Sequence, residues 1–338
     1  MDEQYAPNWP LIGHEWAVSR IGKALNAGRL RHAYLISGPA QIGKTTFARA
    51  FAQAVNCLAD YGRPCGMCRA CTLTAQSTYA DYSLIEADQG TLKIEQIRQF
   101  QHTLSLRPVE ARYRVIVLRR FQDASAQAMD ALLKTLEEPP PYVVLLLTAD
   151  VTEGILPTIK SRCQPINLRP VPASTIREGL MAHFGVEDER AALLAHLSGG
   201  RMGWAIQTLH DDAALHQREE WLGHLEAILG FNRAGRFGLA RKLSEDKDTL
   251  KPMLELWQSY WRDALLLAHS TTAASITNRD HRHILEQIAS SVKVEALYKA
   301  LLATRRTLKY LNANVNTRLA LDAMLLEFPR TRVFSAPQ

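Results

Sequence analysis

The residues that most constrain this fold are Gly38-Pro-Ala-Gln-Ile-Gly43-Lys44-Thr45, which satisfy the phosphate-loop pattern G-x-x-x-x-G-K-[ST] without a mismatch. The apolar run HAYLIS stands directly before them and TTFARAFAQAV, a helix-forming stretch, follows. A loop of this kind joins a strand of a parallel sheet to a helix, so the motif commits the N-terminal half to an α/β arrangement. Its glycines let successive backbone N–H groups turn inward around phosphate oxygens. Lys44 supplies a positive charge, and Thr45 offers a hydroxyl to magnesium at the helix N-terminus. Gly38, Gly43, Lys44, Thr45 and the adjoining Thr46 are therefore the candidate residues for holding ATP or ADP with magnesium. The bland alternative is a glycine-rich turn between strand and helix.

Apolar runs at 32–37, 82–87, 115–118 and 143–148 are the strand candidates, separated by helical patterns. The run VVLLLT is apolar without alternation, which predicts a strand covered on both faces near the centre of the sheet. After Cys163 the strand signals stop, and Pro165, Pro170 and Pro172 mark a break. From there the chain reads as helices. Residues 173–210 suit a small bundle, and the stretches near 216–230, 248–270 and 294–328 carry apolar positions at helical spacing. The tail RTRVFSAPQ reads as frayed.

With 338 residues, 47% of them hydrophobic, the chain can fill two or three domain cores. The opening MDEQYAPNWP has neither the basic start nor the apolar stretch of a signal peptide, and no apolar run is long enough to cross a bilayer. The expectation is a cytoplasmic protein without membrane association. The net charge of +6 suits an acidic partner such as DNA but decides nothing alone.

Of five cysteines, four fall between positions 57 and 71. A reducing compartment disfavours a disulfide framework there. Cys57, Cys65, Cys68 and Cys71 place four thiolates in a window short enough to close around one tetrahedral ion. Zinc fits, because it favours a closed four-sulfur site and adds folding energy to a loop with little core. An iron–sulfur cluster is the rival, although no cysteine followed by proline completes the ferredoxin pattern. Free thiols are the third reading.

A phosphate loop that hydrolyses its nucleotide also needs a carboxylate at the end of a neighbouring strand to hold magnesium. Here the strand VIVL runs into Arg119-Arg120, whose charge opposes a cation, and Asp123 lies a turn further on, badly placed to substitute. The site therefore reads as able to hold a nucleotide but poor at cleaving it. The alternative is that the arginines point to solvent and another carboxylate serves.

RLRHAYLISGPAQIGKTTFARAFAQAVNC, the cysteine set, ALLKTLEEPP at 131–140 and LPTIKSRC at 156–163 together resemble the bacterial clamp-loader subunits gamma/tau and delta-prime. These are relatives of the small subunits of replication factor C, and the resemblance spans most of residues 10–165. It implies a RecA-like AAA+ domain over 1–168 with a zinc module at 57–71, an all-α lid over 169–212 and an all-α collar over 213–338. It also implies partners: gamma/tau and delta subunits in a hetero-pentamer, a sliding clamp, and primer-template DNA. Arg162 of the SRC motif matches the family's arginine finger, which reaches into a neighbour's ATP site. Thr148 matches sensor 1, Cys163 a small core residue, and Lys93 a lysine that follows the DNA phosphate backbone. The ordinary readings are a surface arginine for Arg162 and a solvated helix-face lysine for Lys93.

Departures from the gamma/tau pattern choose between subunits. Where those motors end the strand in Asp-Glu, this chain has Arg119-Arg120, and Gly203 in SGGRMGWA stands where their lid carries the sensor-2 arginine. A subunit that keeps its outgoing finger but lacks its own hydrolytic groups resembles delta-prime, as does the closing segment YLNANVNTRLALDAMLLEF. The phosphate loop is intact where many delta-prime proteins have lost it, which leaves nucleotide occupancy open. One rival is an autonomous gamma/tau-like ATPase; another is a zinc-dependent nucleic-acid-binding module. The double arginine counts against the first, and the lack of a basic-aromatic cluster within 57–71 against the second.

Overall fold

Among the residues described by the structure, a computed structural model, one parallel sheet holds β1 (Ala33–Ser37), β2 (Tyr82–Ile85), β3 (Arg114–Leu118), β4 (Val143–Ala149) and β5 (Gln164–Asn167). The described residues are 9–60, 62–88, 90–104, 106–269, 276–311 and 315–331. The tail expected to fray lies outside them from residue 332 onward.

The strand order is β2-β3-β4-β1-β5, so the VVLLLT run occupies the centre as its composition requires. All seven residues of β4 are buried. Val144 and Leu146 enter a core formed with α1 (Glu15–Asn26), α2 (Lys44–Asn56) and α3 (Arg69–Ala75). Val143, Leu145, Leu147 and Ala149 enter a second core with α4 (Ile94–Leu104), α5 (Ala126–Glu137) and α6 (Pro157–Arg162). Each fully buried valine or leucine contributes about 1.5–3 kcal/mol, which pins the register of the strand.

β5 corrects the expectation that strand signals end at Cys163. Among the described residues it pairs with β1 alone, through Tyr34 with Gln164 to Ser37 with Asn167. Pro165, read from the sequence as a break, has no N–H to donate, and an edge strand tolerates that.

The chain divides into two compact units, residues 1–185 with 200–204 and residues 186–199 with 205–338. The first holds the sheet, α1 to α6 and α7 (Ala173–Phe184). Beyond α7 the chain forms α8 (Asp188–Leu197), α9 (Met202–His210), whose first three residues belong to the first unit, α10 (Ala213–Gly230), α11 (Arg233–Leu243), α12 (Lys247–Ala268), α13 (Arg282–Ser291), α14 (Val294–Leu311) and α15 (Thr317–Glu327). The second unit is built around α12, whose Trp257, Tyr260 and Trp261 are wholly buried. The ring of Trp261 meets Phe328 edge-on at 5.1 Å. Arg236 of α11 is buried because it caps the end of α15, donating to the carbonyls of Leu325, Phe328 and Pro329 at 2.6–2.9 Å.

Candidate functional site

The phosphate loop leaves β1 at its C-terminal end, where the Gly38 N–H donates to the Ala149 carbonyl of β4 at 3.2 Å. Gly38 has φ 148°, and a Cβ there would stand 2.4 Å from the Leu168 carbonyl oxygen, so no other residue fits. Gly43 precedes α2, whose first turn closes with Phe47 N–H to Gly43 O at 2.8 Å. Lys44 is buried, and its ammonium donates to the carbonyls of Gly38 and Pro39 at 2.7 and 2.6 Å. It also meets the Asp150 carboxylate at 2.7 Å. Burial pulls the ammonium below its ordinary pKa, while Asp150 works in the opposite direction. Thr45 is half-buried and Thr46 exposed on the same first turn.

The ends of β3 and β4 frame this loop. Neither arginine after β3 is unpaired: Arg119 meets Glu86 at 2.8 Å, and Arg120 meets Asp123 at 2.6 Å and Asp150 at 3.1 Å. Thr148, buried at the end of β4, accepts from the Arg120 N–H at 3.1 Å and so ties the two strand ends together. Loop glycines, Lys44 and the threonine hydroxyls fit a nucleotide's phosphates. A divalent cation would find Asp150 already shared between Lys44 and Arg120.

Gly203 lies against the same loop. Its N–H donates to the Gln41 carbonyl at 2.8 Å, and a Cβ at this position would sit 2.7 Å from that oxygen. A side chain of any kind, including an arginine, is therefore excluded in this arrangement.

The remaining residues singled out by sequence lie apart from the loop. Arg162 ends α6, half-exposed, and donates to Thr158 O at 3.0 Å and to Glu137 at 2.9 Å. Cys163 beside it is buried, and burial pushes its thiol up to about 12. Lys93 is exposed just before α4 and pairs with Asp88 at 3.3 Å.

The four cysteines converge. The Sγ atoms of Cys57, Cys65, Cys68 and Cys71 all lie within 4.8 Å of one another. Two backbone donors face the sulfurs, Cys65 N–H to Cys57 Sγ and Cys68 N–H to Cys65 Sγ, both at 3.3 Å. The Cys68 N–H draws the Cys65 thiol down to about 6, whereas burial pushes Cys57 and Cys71 up. Gln53 of α2 anchors the cluster by donating to Cys71 O at 2.8 Å. Four sulfurs at this separation, with N–H groups aimed at them, fit one zinc ion in a closed tetrahedral site.

A DNA polymerase III subunit delta' of Pseudomonas aeruginosa is 31% identical over 310 residues, which is 88% of this chain and 91% of that protein. The chain belongs to the clamp-loader subunits of DNA polymerase III. Two family descriptions match this clamp-loader chain in tandem: "DNA polymerase III, delta subunit" over residues 13–172 and "DNA polymerase III, delta subunit, C terminal" over residues 212–330. DNA polymerase III subunit gamma of Buchnera aphidicola is 26% identical over 344 residues, covering 94% of this chain and 93% of that one. The gamma/tau subunit of Mycobacterium tuberculosis is 33% identical over 169 residues, 49% of this chain and 29% of the relative. The chain thus spans under a third of such a gamma/tau protein. Among solved structures, a gamma subunit-related protein of Thermotoga maritima aligns at 16% identity and a TM-score of 0.36 over 90% of this chain and 97% of that one. RuvB of the same organism aligns at 16% identity and 0.41 over 63% and 64%.

The clamp-loader sequence points to the loop, both arginines, Thr148 and Gly203, which prove to share one neighbourhood, but it does not single out Asp150 and Gln122. Gln122 accepts from the Asp150 N–H at 3.2 Å and holds that carboxylate in position. The only signal for the pair is an acidic residue two places after Thr148 at a strand end.

Proposed function

We propose that this chain is a delta-prime-type clamp-loader subunit that holds nucleotide without cleaving it productively and lends Arg162 to the ATP site of a neighbouring subunit. The observation that carries this reading is the charge arrangement at the ends of β3 and β4. Arg119 and Arg120 stand where a motor subunit holds magnesium, and the nearby carboxylates Glu86, Asp123 and Asp150 are committed to ion pairs with them. Gly203 adds to it, since the close contact with Gln41 leaves no space for a sensor arginine. Arg162, in contrast, stands half-exposed at a helix end with its guanidinium on the surface. A planar, permanently charged fork suits stabilisation of charge on a transferred phosphoryl group.

In this reading residues 1–168 form the AAA+ domain, 169–212 the lid and 213–338 the collar, and the partners are gamma/tau and delta subunits in a hetero-pentamer. The assembly loads a sliding clamp onto primed DNA, with Lys93 touching DNA phosphates. Zinc on Cys57, Cys65, Cys68 and Cys71 gives the loop between α2 and α3 a fixed shape that its few apolar residues do not supply. When bound, ATP or ADP with magnesium would lie on Gly38, Gly43, Lys44, Thr45 and Thr46 near Thr148. Co-purification with candidate gamma/tau and delta subunits, followed by native mass measurement, tests the assignment. A pentamer containing one copy of this chain supports it, and a chain that assembles with none of them overturns it.

A gamma/tau-like motor is the second reading, favoured by the intact loop and by the Asp150 carboxylate 2.7 Å from Lys44. ATP turnover by the isolated chain that disappears in Lys44→Ala selects it.

A further inference from the structure

An ammonium has three N–H donors, and Lys44 uses all three within its own chain: Gly38 O, Pro39 O and Asp150 Oδ1. Asp150 is equally well placed. Its Oδ2 accepts from Arg120 at 3.1 Å and faces Gln122 Nε2 at 3.4 Å, and its N–H is held by Gln122 Oε1. The two side chains of the pair are only 7% and 15% exposed, so water screens the contact weakly. A phosphate can reach such an ammonium only if one partner lets go, and the anionic partner is the one that an anion replaces.

We propose that Asp150 is an internal counter-anion that holds Lys44 and keeps the phosphate loop closed, so that a nucleotide binds by displacing this carboxylate from the ammonium. The proposal rests on the reading of the loop as a nucleotide site. Arg120 then has a positive role as well, because it is already bonded to the other oxygen of Asp150 and retains the carboxylate when Lys44 releases it. Apparent affinity is proportional to the fraction of molecules whose loop is open, so every contact that holds it closed weakens binding. A carboxylate serving as a magnesium ligand instead would act with the opposite sign, because its removal weakens binding where magnesium is present.

The test is equilibrium binding of a fluorescent, non-hydrolysable ATP analogue to the full chain and to Asp150→Asn, in magnesium-free buffer without chelator and again with excess magnesium. Asp150→Ser serves as a second variant, with retained zinc content and circular dichroism as the check on folding. The expected result is binding about tenfold or more tighter in both variants, with or without magnesium. Unchanged or weaker binding in magnesium-free buffer overturns the counter-anion, and a loss confined to magnesium-containing buffer assigns Asp150 to the metal. If the unmodified chain binds and Lys44→Ala does not, yet the Asp150 variants are no tighter, only this proposal falls. If none of the chains binds, the nucleotide reading falls with it.

Discussion

Arg162, the last residue of α6, donates from Nη2 to Glu137, the last residue of α5, at 2.9 Å. The pair is 36% and 52% exposed, and exposed ion pairs add about 0–1 kcal/mol. Arg162→Ala should therefore lower stability by no more than about 1 kcal/mol in chemical denaturation followed by circular dichroism. A larger loss would make Arg162 a structural residue and weaken its assignment as a finger.

The cysteine cluster should carry one zinc per chain. In Cys65→Ser/Cys68→Ser the metal should be absent on elemental analysis, and amide exchange should speed up across residues 57–71, because two remaining thiolates cannot close the site. Iron with visible absorbance, or no metal in the carefully purified protein, contradicts the zinc assignment.

Gly203→Ala places a Cβ 2.7 Å from a backbone oxygen of Gln41. Overpacking of this kind costs about 1–3 kcal/mol, and here it should appear as faster amide exchange around 39–43 and 200–204. Protection equal to that of the unmodified protein would show that the segment around Gly203 yields without cost.

His281 lies between two carboxylates, with Nδ1 3.1 Å from Glu226 and Nε2 3.0 Å from Glu219. The bond to Glu226 raises its pKa above the ordinary 6.5 against the effect of burial, with Asp280 adding to the rise. Also nearby are Tyr260, which donates to Glu226, and Arg218, which is paired with Asp280. A raised folded-state pKa contributes stability that is complete below the unfolded value and is lost as pH rises through the folded value. The second unit should thus lose stability as pH climbs above 6.5, lowering its thermal midpoint by an amount that His281→Gln removes. A pH-independent midpoint in the unmodified chain contradicts this.

Legibility in the sequence follows physical range. β4 is readable because seven consecutive buried positions leave an unbroken apolar signal, and the loop because its glycines and lysine are local requirements. β5 is not, since a four-residue edge strand containing Pro165 has too little pattern, and its existence depends on β1 beside it. α11 and α13 are hard to read because RAGRFGLARKL and RHILEQIASS bury few residues each. The site divides the same way: Lys44 and the arginines are visible, but the Asp150 contacts to Lys44 and Arg120 join the start of α2 to two strand ends distant in sequence.

The ATPase rate of the assembled complex, stimulated by clamp and primed DNA and measured with Arg162→Ala and Arg162→Lys in this chain alone, tests the trans-acting finger most directly. An arginine finger contributes about a thousandfold or more to its own site, so the neighbour's site should fall nearly silent while sites served by other fingers continue. The expected result is an assembled complex with a partial loss of turnover in both variants, since lysine keeps the charge but not the two-pronged geometry. Complexes of both variants that assemble and turn over ATP at the unmodified rate would contradict it, leaving Arg162 a surface residue paired with Glu137.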